Sequence, residues 1–263
     1  MLLISLIAHM SSSSDPSFTP DMYTSDIYTS DHDPDLKPDS HINHSDSLAY
    51  WNTVQPTVNG MLGGFPQVSN IDLRGSSAFL AKVRRLIPSL PTSGPLPLGV
   101  DCGAGIGRVT TGFLSRVCEV VDVVEPVEAF ASVVREGQLK REGKVGDIYV
   151  MGLEKWVPEK KYDLIWNQWC VGHLTDEQLV AYLVRCKDAL TETGLVVVKE
   201  NITTDEMDMF DPEDSSVTRT EKKFRQCFKE AGYTVVKAEE QLGFPQSLGL
   251  YPVMFFALRP QMT

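Results

Sequence analysis

The sequence predicts an α/β fold: a doubly wound, mostly parallel sheet preceded by an N-terminal helical extension. Two observations carry that prediction. From Leu96 onward, short β-branched or apolar runs alternate with segments of helical periodicity. The first such run, Leu96, Leu98 and Val100, ends at Asp101 and passes into glycines at 103, 105 and 107 before a helix pattern starts. A strand, a tight glycine turn and a helix N-terminus together bring backbone N–H groups close to a ligand.

Charge and composition divide the chain before any element is placed. Residues 1–47 hold eight aspartates and one lysine, a charge of −7, which leaves −4 of the total −11 for the rest. The folded part is only mildly acidic and has no basic stripe, so a nucleic-acid partner is not expected. The five cysteines, 102, 118, 170, 186 and 227, are odd in number and never spaced C-x-x-C. That spacing argues for a reducing compartment and against a disulfide framework or a metal site. No apolar run approaches the ~20 residues of a membrane span. Met1–His9 lacks the basic n-region and the cleavage site of a signal peptide. Ser11–Ser47 is rich in Ser, Asp, Pro and His and reads as a disordered acidic tail, with His9, His32, His41 and His44 as solvated side chains.

Order is expected from Leu48, with a helical segment over 48–95 and a sheet core over 96–260. Tyr50 and Trp51 precede Pro56, and Met61 and Leu62 sit in a Gly60–Gly64 turn. That turn has two readings, a helical layer packed on the sheet or a lid over a substrate channel with Trp51 in its wall. A helix follows with Phe79, Leu80, Val83, Leu86 and Ile87 on one face, stopped by Pro88. Past the glycine turn, Glu119–Val124 is a strand ending at Glu125, Pro126 and Val127. Its carboxylate, about twenty residues beyond the glycine loop, is placed to accept ribose hydroxyls. Val145–Val150 is the third strand, followed by Gly152, Leu153 and Glu154, where an adenine edge would rest. Tyr162–Trp166 is the fourth, running into Gln168, Trp169 and His173. Thr175 to Gln178 is a capping box opening a helix with Leu179, Tyr182, Leu183, Cys186 and Leu190 buried. Leu195–Lys199 is the fifth strand, ending at Glu200 and Asn201. Tyr233–Lys237 and Val253–Leu258 complete seven.

In such sheets the site lies beyond the carboxyl ends of the strands, which collects the glycine turn, Glu125, Leu153, Gln168 to His173, and Asn201. Six acids also fall in the ten residues Asp205–Asp214 without a cation. They are either a solvated connection or a docking site for a cationic substrate.

The glycine pattern D-x-G-x-G-x-G has neither the Gly-Lys-Ser/Thr of a P-loop nor the third glycine of a dinucleotide fingerprint. It resembles motif I of the Rossmann-like class I S-adenosylmethionine-dependent methyltransferases, which implies space at Gly103 and Gly105 for the methionine part and Arg108 on its carboxylate. A wider resemblance spans Tyr50–Arg259. Y-W (50–51), P-T-V-N-G-M-L-G-G (56–64), D-C-G-A-G-I-G-R (101–108), Q-W-C-V-G-H-L-T-D (168–176), V-K-E-N (198–201) and D-S-S-V-T-R (214–219) resemble the protein α-N-terminal methyltransferases, which act on X-Pro-Lys or X-Pro-Arg termini. The resemblance implies S-adenosylmethionine held by Gly103, Gly105, Arg108, Glu125, Pro126, Val127, Leu153, Glu154 and Gln168. It implies a peptide channel lined by Trp51, Leu62, Trp169, Asn201, Asp211, Asp214, Ser216 and Tyr251, with His173 and Asp214 taking the amine proton. Protein substrates, ribosomal proteins among them, a monomer, and a cytoplasmic and possible nuclear location belong to the same expectation. Two departures stand out: Glu125-Pro126-Val127 where animal members have Asp-Ile-Thr, and Glu200-Asn201 where they have Asp-Asn. On the residues alone, a small-molecule methyltransferase and a catalytically silent reader of cationic termini remain open.

Overall fold

The computed structural model describes residues Lys37–Gln261. The expectations for a tail at 1–36, including a signal peptide and His9 and His32, lie outside the described residues. Seven strands form one sheet: β1 (Leu96–Cys102), β2 (Cys118–Val124), β3 (Val145–Tyr149), β4 (Tyr162–Gln168), β5 (Leu190–Asn201), β8 (Tyr233–Glu240) and β9 (Val253–Pro260). Their order is β3-β2-β1-β4-β5-β9-β8. The first five pair in parallel, and β9 runs antiparallel to both β5 and β8. This is the predicted doubly wound, mostly parallel sheet. Strand order reverses between β1 and β4, so their carboxyl ends open the crevice in which such folds bind ligands.

Each face of the sheet carries its own apolar layer. On one side α7 (Asp176–Asp188) and α8 (Glu221–Glu230) bury Leu179, Tyr182, Leu183, Phe224 and Phe228 against Val100, Ile165 and Val198. The predicted capping box is present: the Thr175 hydroxyl accepts from the Gln178 amide, and the Gln178 side chain accepts from the Thr175 amide. On the other side α3 (Ser69–Leu86) places Phe79, Leu80 and Val83 on Leu164, Trp166 and Phe255. Leu86, expected on that face, is 55% exposed, because the helix ends at that residue and the chain turns away through Ile87. Behind the glycine turn the chain takes a π turn over Thr110–Leu114 before the short α4 (Ser115–Val117). There Leu73 of α3 fills the space a Cβ at Gly112 would need, 2.4 Å away.

Two expectations change. Order begins before Leu48: Pro38–His41 form a 3-10 turn and α1 spans His44–Thr53. The Asp39 carboxylate accepts from the Asp176 amide at 2.7 Å, His44 bonds Gln178, and the His41 ring lies 5.3 Å from that of Phe210. These residues are too polar to announce a core. They dock through hydrogen bonds to the N-terminus of α7 and to the region beyond β5. Second, the acidic stretch contains a two-stranded ribbon, β6 (Met209–Asp211) with β7 (Ser216–Thr218), pairing Asp211 with Ser216. Three-residue strands are too short for a periodic signal.

The Gly60–Gly64 turn is packed: α2 (Val58–Met61) buries Met61 against Val127 and Phe130, and Leu62 against Trp169 and Val253.

Candidate active site

A cavity of about 340 Å³ opens over the carboxyl ends of β1, β2 and β4. Its floor is Gly103 and Gly105, which with Gly107 have φ of +67°, +56° and +74°, a left-handed path that side chains disfavour. Gly103 also lacks room, since a Cβ there would stand 2.3 Å from Cys170 Cβ. Asp101 anchors the turn. Its buried carboxylate accepts from the Thr110 hydroxyl at 2.5 Å, and burial raises its pKa to about 6.

Glu125, Pro126 and Val127 form one wall and Leu153 and Glu154 another, as expected for a nucleoside site. Glu125 is 4% exposed, and its two oxygens accept from the Gly105 and Val127 amides at 2.7 and 2.8 Å. Burial nonetheless pushes its pKa up to about 7. A buried carboxylate with lone pairs to spare, facing a cavity, suits a ligand that brings further donors. Arg185 fixes the opposite wall by donating to the carbonyls of Leu153 and Trp156. The fourth strand supplies Trp169, Cys170 and His173. Trp169 has φ +53°, a strained value for a large residue, and the Glu200 carboxylate holds the turn after it by accepting from the Cys170 and Val171 amides.

Arg108 and Gln168 are not on the cavity wall. Both donate to the buried carboxylate of Asp72 on α3, Arg108 at 2.7 Å and Gln168 at 2.9 and 3.0 Å. The Lys199 ammonium donates to Asp72 as well, and to Ser76 and Gln241. Burial alone would raise the Asp72 pKa, but the Lys199 and Arg108 charges hold it below the usual range. Two cations share one carboxylate here, and both lie within 5.7 Å of the Trp169 ring centroid. The network therefore sits one side chain behind the glycine turn and carries an excess positive charge.

The remaining predicted residues gather at the other end of the cavity. Trp51, on the wall, donates its indole N–H to His173 Nε2 at 3.3 Å, and Ser47 Oγ lies 3.0 Å from His173 Nδ1. Asp214 Oδ2 stands 4.0 Å from Nε2, while Oδ1 accepts from the buried Ser216 hydroxyl at 2.7 Å. Burial raises the Asp214 pKa and lowers that of His173. Ser215 between Asp214 and Ser216 has φ +55°. Asp211 accepts from the Glu213 amide at 2.9 Å, and Tyr251 reaches Met209 Sδ at 3.7 Å. Asn201 ends β5 opposite Val253, and Leu62 packs on Trp169. Asp211, Asp214, Ser216, Tyr251, Asn201 and Leu62 are thus off the cavity wall, which Asp214 approaches through His173 and Leu62 through Trp169. Nothing in the residue pattern marks Ser47, Asp72 or Lys199 as site residues, because their partners are distant in the chain. Tyr50, also missed, has its pKa raised to about 12 by burial and by Glu213, Asp214 and Asp211, so it faces the acidic ribbon.

The sheet order, the glycine turn and the buried acid after β2 define a class I S-adenosylmethionine-dependent methyltransferase. The family model of the AdoMet-dependent proline di-methyltransferases matches residues 39–259, and the chain belongs to that family. It is 47% identical over 223 residues to the alpha N-terminal protein methyltransferase 1 of Schizosaccharomyces pombe, covering 84% of this chain and 97% of that one. It is 39% identical over 218 residues to the mouse N-terminal Xaa-Pro-Lys N-methyltransferase 1, covering 82% and 95%. Among solved structures, a SAM-dependent methyltransferase of Leishmania major superposes with a TM-score of 0.72 at 35% identity, covering 82% of each chain.

Proposed function

We propose that this enzyme transfers methyl groups from S-adenosylmethionine to the α-amino group of protein chains that begin X-Pro-Lys or X-Pro-Arg. The carrying observation is one cavity with a nucleoside-type wall at Glu125 and a Trp51–His173–Asp214 cluster at its far end. The mouse relative is an N-terminal Xaa-Pro-Lys N-methyltransferase and the S. pombe relative an alpha N-terminal protein methyltransferase, which supports the same acceptor here.

Gly103 and Gly105 would leave room for the methionine part of the cofactor, Glu125 would accept from the ribose hydroxyls, and Leu153 would cover the adenine. The excess positive charge at Arg108 and Lys199 matches the methionine carboxylate, with Gln168 holding Asp72 in register. Bound there, S-adenosylmethionine supplies an electrophilic sulfonium methyl. A free α-amino group titrates near ~8 and attacks only when neutral. Its proton therefore passes to the Asp214–His173 pair, in which a buried carboxylate stands 4.0 Å from a ring on the cavity wall. Trp51 and Trp169 steady the increasingly methylated, cationic terminus by cation–π contact. Asp211 on the ribbon pairs with the third-position cation, while Leu62 and Ser216, behind the cavity wall, act through Trp169 and Asp214. The enzyme is proposed to act as a monomer on cytoplasmic and nuclear proteins, ribosomal proteins among them.

The test is incubation with labelled S-adenosylmethionine and a Ser-Pro-Lys-starting peptide, read by mass spectrometry at the terminus. Label on the α-nitrogen is expected. Label on an internal lysine, or equal labelling of the N-acetylated peptide, overturns the reading.

A further inference from the structure

We propose that Ser47 is a positioning residue for methyl transfer: its hydroxyl fixes His173 as the Nδ1–H tautomer, leaving the lone pair on Nε2. This rests on the N-terminal methylation reading above. The tautomer follows from which groups can donate. An indole N–H can only donate, and that of Trp51 reaches His173 Nε2 at 3.3 Å, so Nε2 accepts. A neutral imidazole then carries its proton on Nδ1, where Ser47 Oγ stands ready to accept at 3.0 Å. The Ser215 backbone also hydrogen-bonds to the ring.

The helix supplies the clamp. Ser47 and Trp51 are four residues apart on α1, hence on one face, and they take the two nitrogens of a single ring. In the other tautomer an Nε2–H would meet the Trp51 N–H head to head, and the lone pair would point at Ser47, away from Asp214. The titratable groups around the ring are Asp214, 4.0 Å from Nε2, Asp211 on the ribbon, and His44 on α1, itself bonded to Gln178 of α7. Burial disfavours the charged ring, and in this tautomer the lone pair lies on the Trp51 and Asp214 side, so a proton is received there once the Trp51 N–H gives up that contact.

The experiment uses the full chain, Ser47→Ala and Ser47→Thr. Ring nitrogen shifts of 15N-histidine-labelled protein, with the His173 signal assigned by its loss in His173→Gln, report the tautomer. Steady-state kinetics on a Ser-Pro-Lys peptide report its effect. Ala suits a helix interior, so Ser47→Ala is expected to fold. It should mix the two tautomers and lower kcat about 5- to 10-fold, the value of one hydrogen bond. Peptide KM and cofactor Kd should stay within about twofold, because neither ligand's contacts are removed. Ser47→Thr, which keeps the hydroxyl, should restore both the spectrum and kcat. An Nε2–H tautomer in the unsubstituted protein overturns the proposal, as does a Ser47→Ala enzyme with unchanged kcat or one whose loss lies wholly in KM. If Ser47→Ala does not fold, a Ser47→Thr enzyme with the slow rate and mixed tautomers overturns it equally. Failure of the underlying function is separable: it appears as no methylation of the peptide by the unsubstituted protein, while the ring's tautomer is read without turnover.

Discussion

Glu125→Ala tests the nucleoside wall with an effect that can be worked out in advance. In the folded protein burial raises this carboxyl to about 7, against an ordinary value of 4.5. Keeping it ionised therefore costs about 3 kcal/mol at neutral pH, at roughly 1.4 kcal/mol per pKa unit. The sign is that of a raised acid: the penalty is absent below about pH 4 and fully present above about pH 7. Removing the carboxylate relieves that cost but orphans the Gly105 and Val127 amides, so the ligand-free protein should lose little stability. Cofactor affinity is different. Two ribose hydrogen bonds to a charged group are worth roughly 1.5–3 kcal/mol each, so Kd should rise about 100-fold or more. The donors also favour the ionised form, so binding below about pH 7 releases a proton and affinity should climb with pH before levelling. Calorimetry of S-adenosylmethionine binding between about pH 6 and about pH 8 reads both effects. A folded Glu125→Ala protein with unchanged affinity, or a wild-type affinity flat across that window, refutes the ribose assignment.

Four further substitutions probe the rest of the site. Asp72→Ala leaves Lys199 and Arg108 buried as like charges, and should cost about 3–5 kcal/mol by urea unfolding; a loss below about 1 kcal/mol would mean water reaches them. Asp39→Ala removes an acceptor for the Asp176 amide at the start of α7. It should cost about 1 kcal/mol, or about 2–4 °C in Tm by scanning calorimetry, and an unchanged Tm would return residue 39 to the tail. Asp211→Lys should raise KM for X-Pro-Lys peptides and partly restore X-Pro-Glu peptides, while Asp214→Asn should lower kcat with a smaller change in peptide affinity. Kinetics on a peptide series varying only the third residue decide both, and unaltered selectivity and turnover would reduce the ribbon to solvated surface.

The parts legible in the sequence were those governed by local rules. The strand cores, the glycine turn and the Thr175 capping box each rest on residues close together in the chain and appear where expected, although β5 starts at Leu190, which the helical periodicity placed on the preceding helix. What was not legible depends on partners far apart. Asp39 meets Asp176 across 137 positions, and Lys199 meets Asp72 across 127. Residues 38–47 bury almost nothing apolar, so composition assigns them to a tail although their hydrogen bonds place them in the site. Arg108 and Gln168 were expected on the cofactor, but the acid that gathers them lies on α3, in a helix read only for its apolar face.

The acidic ribbon shows how such an inference must be divided. Six like charges in ten residues would repel unless a cation entered, yet half of them are held in place by the protein's own donors. Asp208 accepts from the Thr220 amide at the start of α8, Asp211 from the Glu213 amide, and Asp214 from the Ser216 hydroxyl. Asp205, Glu206 and Glu213 are exposed and screened by solvent. The two acids proposed to meet a substrate, Asp211 and Asp214, are buried, and their orientation is set by short local bonds rather than by mutual repulsion. The left-handed Ser215 between Asp214 and Ser216 is where that orientation costs backbone strain. The left-handed Trp169 on the cavity wall does the same, held by Glu200 through the two amides that follow it. One strained residue adjoins the carboxylate that would receive a proton, and the other carries the ring that would face a cation. Both are fixed before any ligand arrives, which is what placing an amine at attack distance requires.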